Sequence, residues 1–194
     1  MEKITAHLTL LDATIPRKGV LVDIAAVLGF ACFTAAMAQV SLWIGPVPVT
    51  GQTFAVLLAG ILLGSIRGAL SQITYLAIGA TGVPFWFALG GPPGIARLLG
   101  PSGGYLLGFV AAAFVTGYLA ERGWDRHIWT TALAMLAGNA VIYLFGLPWL
   151  ARFVPGDSVL EFGLYPFLAG DTAKIVAATL IPPTSWRILK HLKG

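Results

Sequence analysis

The stretch LYPFLAGDTAKIVAATLIP, residues 164–182, governs how the rest of the chain is read. Its length falls within the roughly 17–25 residues that a helix needs to cross a bilayer. Yet Asp171 and Lys174 stand in its middle. An ionisable side chain at that depth costs about 2.5–3.5 kcal/mol even on lenient insertion scales, so it is expected to face a cavity or a partner and not lipid. At i, i+3 on a helix the two side chains share one face. They can pair only with each other and fix helix packing, or they can grip one polar solute together; the residues alone leave both readings open.

The same apolar pattern repeats along the chain. Of its 194 residues 57% are hydrophobic and 10% charged, the balance of an integral membrane protein. Apolar runs occupy residues 24–44, 53–66, 69–87, 103–120, 128–147 and 164–182. The second run is short, and the third is interrupted near Gly79, Gly82 and Pro84. These two are expected to form a tight helical hairpin turned at Arg67-Gly68, followed by a re-entrant or loop segment. The prediction is an all-α integral membrane protein, one six-transmembrane-helix bundle. Residues 1–20 form an N-terminal segment with a short surface helix broken at Pro16 and Gly19, 21–186 the bundle, and 187–194 a basic tail.

Basic residues orient it. With the N-terminus inside, the inner side carries Lys3, Arg17, Lys18, Arg67, Arg122, Arg126, Arg187, Lys190 and Lys193, and the outer side only Arg97 and Arg152. Such an excess places both termini in the cytoplasm. The net charge of +4 therefore reports topology, not a nucleic-acid partner, and the basic tail is expected to meet anionic membrane lipid. Ala36-Met37-Ala38 resembles a signal cleavage site. The apolar run continues past it through 40–44, so a retained first helix is expected. The one cysteine, Cys32, allows no internal disulfide and no cysteine metal site.

Small residues recur every four positions: Gly104, Gly108, Ala112, Thr116 and Ala120 in the fourth run, Gly60, Gly64 and Gly68 in the second, Ala31 and Ala35 in the first. Such stripes let helices approach closely within a membrane. The expected outer connections, 45–52, 83–102 and 148–165, are long and rich in Gly and Pro, as binding loops tend to be.

Catalytic chemistry has little support. His7, His127 and His191 lie outside the runs, and the chain has no H-E-x-x-H, G-x-S-x-G or P-loop pattern, so no enzyme and no cofactor is expected. Binding is better provided for. Asp171 can accept two N–H donors while Lys174 donates. Arg97, in the long outer loop, is either a headgroup anchor or a clamp for an anionic group. Asn139 lies mid-span, where an amide bonds a neighbouring helix. Gln52 is a candidate for pocket polarity, and Trp43, Trp86 and Tyr165 are either interfacial aromatics or pocket walls.

Three blocks, GPVPVTGQT at 45–53 continued by 54–64, LLGPSGGYLLGF at 98–109 and PFLAGDTAK at 166–174, resemble signatures of the BioY family, biotin-specific S-components of energy-coupling factor (ECF) transporters. The resemblance implies a prokaryotic, multi-pass cell-membrane protein with the six-helix S-component fold and an outward-accessible biotin pocket. It implies as partners a transmembrane coupling protein and two ATP-binding-cassette ATPases. Family residues that contact biotin match Asp171, Lys174 and Arg97, leaving open which basic residue meets which oxygen. The small face on the family's first helix that docks on the coupling protein corresponds to Ala31 and Ala35. An asparagine that some members carry before the Arg has no counterpart, since Asn139 is the sole Asn; Gln52 or a main-chain group is expected in its place. Ser102 stands where Thr is commoner. Competing expectations are an S-component for another vitamin and a non-transporting structural membrane protein.

Overall fold

The computed structural model describes residues 9–15 and 19–193. Lys3, Arg17, Lys18 and the expected break at Pro16 lie outside the described residues. The elements are α1 (Leu10–Thr14), α2 (Val20–Ala38), β1 (Ser41–Leu42), β2 (Val49–Thr50), α3 (Gln52–Leu63), α4 (Ser65–Ala80), α5 (Ile95–Leu99), α6 (Gly103–Ala120), α7 (Ile128–Leu150), α8 (Val159–Gly163), α9 (Tyr165–Thr179) and α10 (Ile181–Lys193). Among the described residues four helical stretches are long and apolar enough to cross a membrane: α2, α6, α7 and the end-to-end run Gly156–His191. The helices α3 and α4, with 12 and 16 residues, are shorter. In α3 nine of those twelve residues are buried, so protein and not lipid surrounds it.

The hairpin of α3 and α4 turns three residues earlier than expected. Gly64 breaks the helix at φ +90, ψ 178, a backbone region essentially restricted to glycine. Arg67 and Gly68 fall inside α4. A Cβ on Gly68 would stand 2.8 Å from the Cα of Gly60, so the two helices touch backbone to backbone. The buried N-terminus of α4 is capped from the end of α6: the Glu121 carboxylate accepts from the Ser65 N–H at 2.7 Å and the Ser65 hydroxyl at 2.9 Å. An acidic group there satisfies orphan donors and opposes the helix dipole. Arg67 pairs with Asp23 of α2 at 2.8 Å and Asp12 of α1 at 3.0 Å, tying three helices at one end.

Three further boundaries differ from the sequence reading. The first apolar run ends as a helix at Ala38, and Ser41–Leu42 pairs antiparallel with Val49–Thr50, because Pro46 and Pro48 force the chain to turn back before it can extend the span. The fifth helix passes through Pro148 to Leu150. After α9 the chain continues directly into α10, with its prolines in the first turn, where a missing N–H costs nothing.

The small-residue stripes of α3 and α6 serve internal packing. A Cβ on Gly60 would meet Thr116 of α6, and one on Gly138 of α7 would meet the same threonine. Ala31 and Ala35 likewise lie in the chain's own core, at 0% and 7% exposure. That corrects the expected docking face: residues packed inside the bundle cannot receive a partner. The outward face of α2 carries instead Ala25, Gly29, Cys32 and Ala36, all exposed. Only 17% of α2's most apolar window is buried, against 61% of that of α6, so α2 is peripheral.

Candidate functional site

The site starts from α9, whose first turn holds Pro166, a residue preset for helix entry. From this helix Asp171 points inward at 3% exposure. Lys174, one turn on, donates to Asp171 Oδ1 at 2.8 Å and to the Thr53 hydroxyl at 2.9 Å; Thr53 donates to the same Oδ1 at 3.1 Å. On α7, Asn139 and Tyr143 are four residues apart and so share a face. The Asn139 amide donates to Asp171 Oδ2 at 3.1 Å and the Tyr143 hydroxyl at 2.5 Å. Each carboxylate oxygen thus carries two donors, which fills the roughly four acceptor positions of the group.

A second polar cluster lies between β2, α3 and α4. Gln52 accepts from the Thr50 hydroxyl at 2.8 Å and donates to the Tyr75 hydroxyl at 2.6 Å. Tyr75 is fully buried, stacked on Trp86 and edge-on to Phe87. Arg97, on α5, is 5% exposed. Its guanidinium donates to the Ala88 carbonyl at 2.6 Å and lies 5.2 Å from the Trp43 ring centroid. Among the described residues it has no carboxylate within ion-pair distance. A buried cation without a counter-ion is expensive unless an anion is to be bound beside it.

These groups border one cavity of about 540 Å³, its open mouth included. Gln52, Thr53, Arg97, Tyr143, Asp171 and Lys174 supply polarity. Tyr105 and Phe167, stacked with centroids 6.0 Å apart, supply apolar wall together with Phe87 and Phe109.

Of the residues singled out from sequence, Asp171, Lys174, Arg97 and Gln52 meet at this cavity. Three others act from behind it. Asn139 bonds Asp171 and leaves its own Oδ1 buried without a partner among the described residues. Trp43 backs Arg97 and holds the loop through the Leu89 carbonyl at 2.6 Å. Trp86 donates to the Tyr75 carbonyl at 2.8 Å. Tyr165 is 60% exposed and does not border the cavity, because the first turn of α9 directs it outward. Sequence reading passed over Thr53, Tyr143, Tyr105 and Phe167. The available signal for Tyr143 was its position one helical turn after Asn139, mid-span, where an interfacial role does not apply.

Fold and site together define an integral membrane helix bundle with a charged solute pocket open at one mouth, the class of a transporter's binding subunit. The model of the BioY family matches residues 7–191, and the chain belongs to that family. It is 43% identical over 152 residues to the probable biotin transporter BioY of Pyrococcus horikoshii, covering 78% of this chain and 88% of that protein. It is 39% identical over 146 residues to the biotin transporter BioY of Thermotoga maritima, covering 74% and 83%. A solved structure, the S-component for biotin from an ECF-type ABC transporter, superposes with a TM-score of 0.75 at 26% identity, covering 86% of this chain and 92% of that one.

Proposed function

We propose that this chain is the biotin-binding subunit of an ECF-type uptake transporter. The observation that carries the reading is the pairing, in one cavity, of a neutralised Asp171–Lys174 couple with the buried Arg97, which has no counter-ion among the described residues. Biotin has matching chemistry: two ureido N–H donors and a ureido oxygen, an apolar ring and chain, and a carboxylate. Asp171 accepts the ureido N–H groups and Lys174 donates to the ureido oxygen. Arg97, with no carboxylate partner among the described residues, takes the biotin carboxylate. The aromatic wall of Tyr105, Phe167 and Phe87 encloses the ring system.

In the membrane, α2, α3, α4, α6, α7 and α9 make six crossings in the cell membrane of a prokaryote, and the excess of basic residues at one end puts both termini in the cytoplasm. The ATP-driven step belongs to partners, a coupling protein and two ABC ATPases. Their docking face is the exposed small-residue side of α2, where a Cβ at Gly29 would have no atom within 4 Å.

Calorimetry on the purified chain in detergent tests the reading. Biotin is expected to bind alone in the nM range, about −12 kcal/mol, with other vitamins far weaker. Binding no tighter than mM, or preference for another vitamin, refutes it.

A further inference from the structure

Away from the biotin pocket, the end of the bundle where α7 begins carries a second organised charge. Asp125, fully buried in the turn after α6, accepts from Arg126 Nε at 3.0 Å and from the Trp186 indole N–H at 2.5 Å. The Arg126 guanidinium lies 3.5 Å from the centroid of the Trp186 ring. One carboxylate thus pins an arginine and a tryptophan from two segments into a fixed floor. Over that floor opens a groove of about 990 Å³, adjoining open solvent included, bordered by Arg126, His127, Trp129, Trp186, Arg187 and Lys190.

Arg187 and Lys190 stand three residues apart on α10, both exposed, so they share a face; among the described residues neither has an ion-pair partner. With Arg126, Arg187 and Lys190 against the one carboxylate of Asp125, the groove carries a net formal charge of +2. Trp129 is 82% exposed in the first turn of the α7 span, where an indole sits at headgroup level. A cationic groove on a pinned floor, beside an indole at that depth, is complementary to a phosphate with acyl chains attached.

We infer that the α7–α10 groove is a binding site for an anionic glycerophospholipid headgroup, its phosphate held by Arg187 and Lys190 beside the Arg126–Trp186 floor and its glycerol and upper acyl region against Trp129. A bound lipid there would hold α10 to the start of α7 and fix the basic tail at the membrane surface.

Native mass spectrometry of the full chain, released from micelles containing equal phosphatidylglycerol and phosphatidylcholine, tests this. Phosphatidylglycerol is expected to be retained preferentially. The double variant Arg187→Gln, Lys190→Gln should cut that retention about tenfold or more while biotin binding, which reports the fold, is unchanged. Arg122, stacked on Tyr118 and bonded to the Tyr118 carbonyl, does not border the groove, so Arg122→Gln should retain the lipid. Equal retention of both lipids, or full retention by the double variant, overturns the assignment. So does displacement of the lipid by an equal concentration of inorganic phosphate, which would mark a free-anion site. Unchanged lipid retention with lost co-elution of the ATPase module would assign the groove to a protein partner and likewise overturn it.

Discussion

Replacing Asp171 by Ala removes the acceptor for Lys174, Thr53, Asn139 and Tyr143 at once. Leaving one charge of a buried pair unmatched costs about 3–5 kcal/mol of stability. Lys174 keeps 18% of its side chain exposed, so part of its charge can solvate and the low end applies. For binding, two charge-assisted hydrogen bonds to the ureido N–H groups are worth about 1.5–3 kcal/mol each. Their loss corresponds to about 10²–10⁴ in Kd. The carboxylate is already saturated by protein donors, so ligand donors replace some of those bonds and do not simply add to them. The net loss is therefore expected near the lower figure, about 100-fold. The assay is calorimetry in detergent on Asp171→Ala, with Thr172→Ala as control, since Thr172 is exposed and its hydroxyl donates to the Leu168 carbonyl of its own helix. The double variant Asp171→Ala, Lys174→Met removes both charges, and should recover thermal stability without recovering binding. Binding by Asp171→Ala within threefold of the parent would show that the pair only fixes helix packing, and would refute the reasoning.

Three other outcomes follow from single positions. A Cβ at Gly91 would overlap Arg97 Nη1, so Gly91→Ala should push the guanidinium aside and weaken biotin about 10- to 100-fold. The loss should be small for biotin methyl ester, which lacks the carboxylate; equal losses for both ligands would remove Arg97 from that role. Gly29→Trp fills the outward face of α2 and should abolish co-elution with the coupling module while leaving biotin binding intact; unchanged co-elution would place docking elsewhere. Burial pushes the Asp125 carboxyl above its ordinary range, against the opposing effects of Trp186 and Arg126. The folded state then holds that proton more tightly than the unfolded one, so the contribution to stability is greatest at low pH and is lost as pH rises through the folded value. Thermal unfolding of Asp125→Asn between about pH 4 and 8 should lack that decline; an identical profile would count against it.

Much of this protein was legible in its residues because membrane burial leaves a one-dimensional record. Apolar length marks where helices run, and charges are too costly at mid-span to be incidental, so Asp171 and Lys174 stood out from sequence alone. Arg97 was readable as a lone cation in a long loop, and the three motif blocks pointed to the family. Direction around a helix axis left a weaker record. On α2 most side chains are apolar or small, and only Asp23 and Thr34 lend polarity to the side of Ala31 and Ala35, a slight mark to separate these inward residues from Ala25, Gly29 and Ala36, facing out. The turn at Gly64 and not at Arg67-Gly68 depended on Glu121, 56 residues away, capping α4. The second donor pair on Asp171 comes from α7, and the wall of Tyr105 against Phe167 from α6 and α9. The sequence by itself therefore determined the membrane class, the family and the charged residues of the pocket, because desolvation cost acts on each residue alone. Only the tertiary structure decided which partners surround them and which face of each helix is free, because those depend on how separate helices meet.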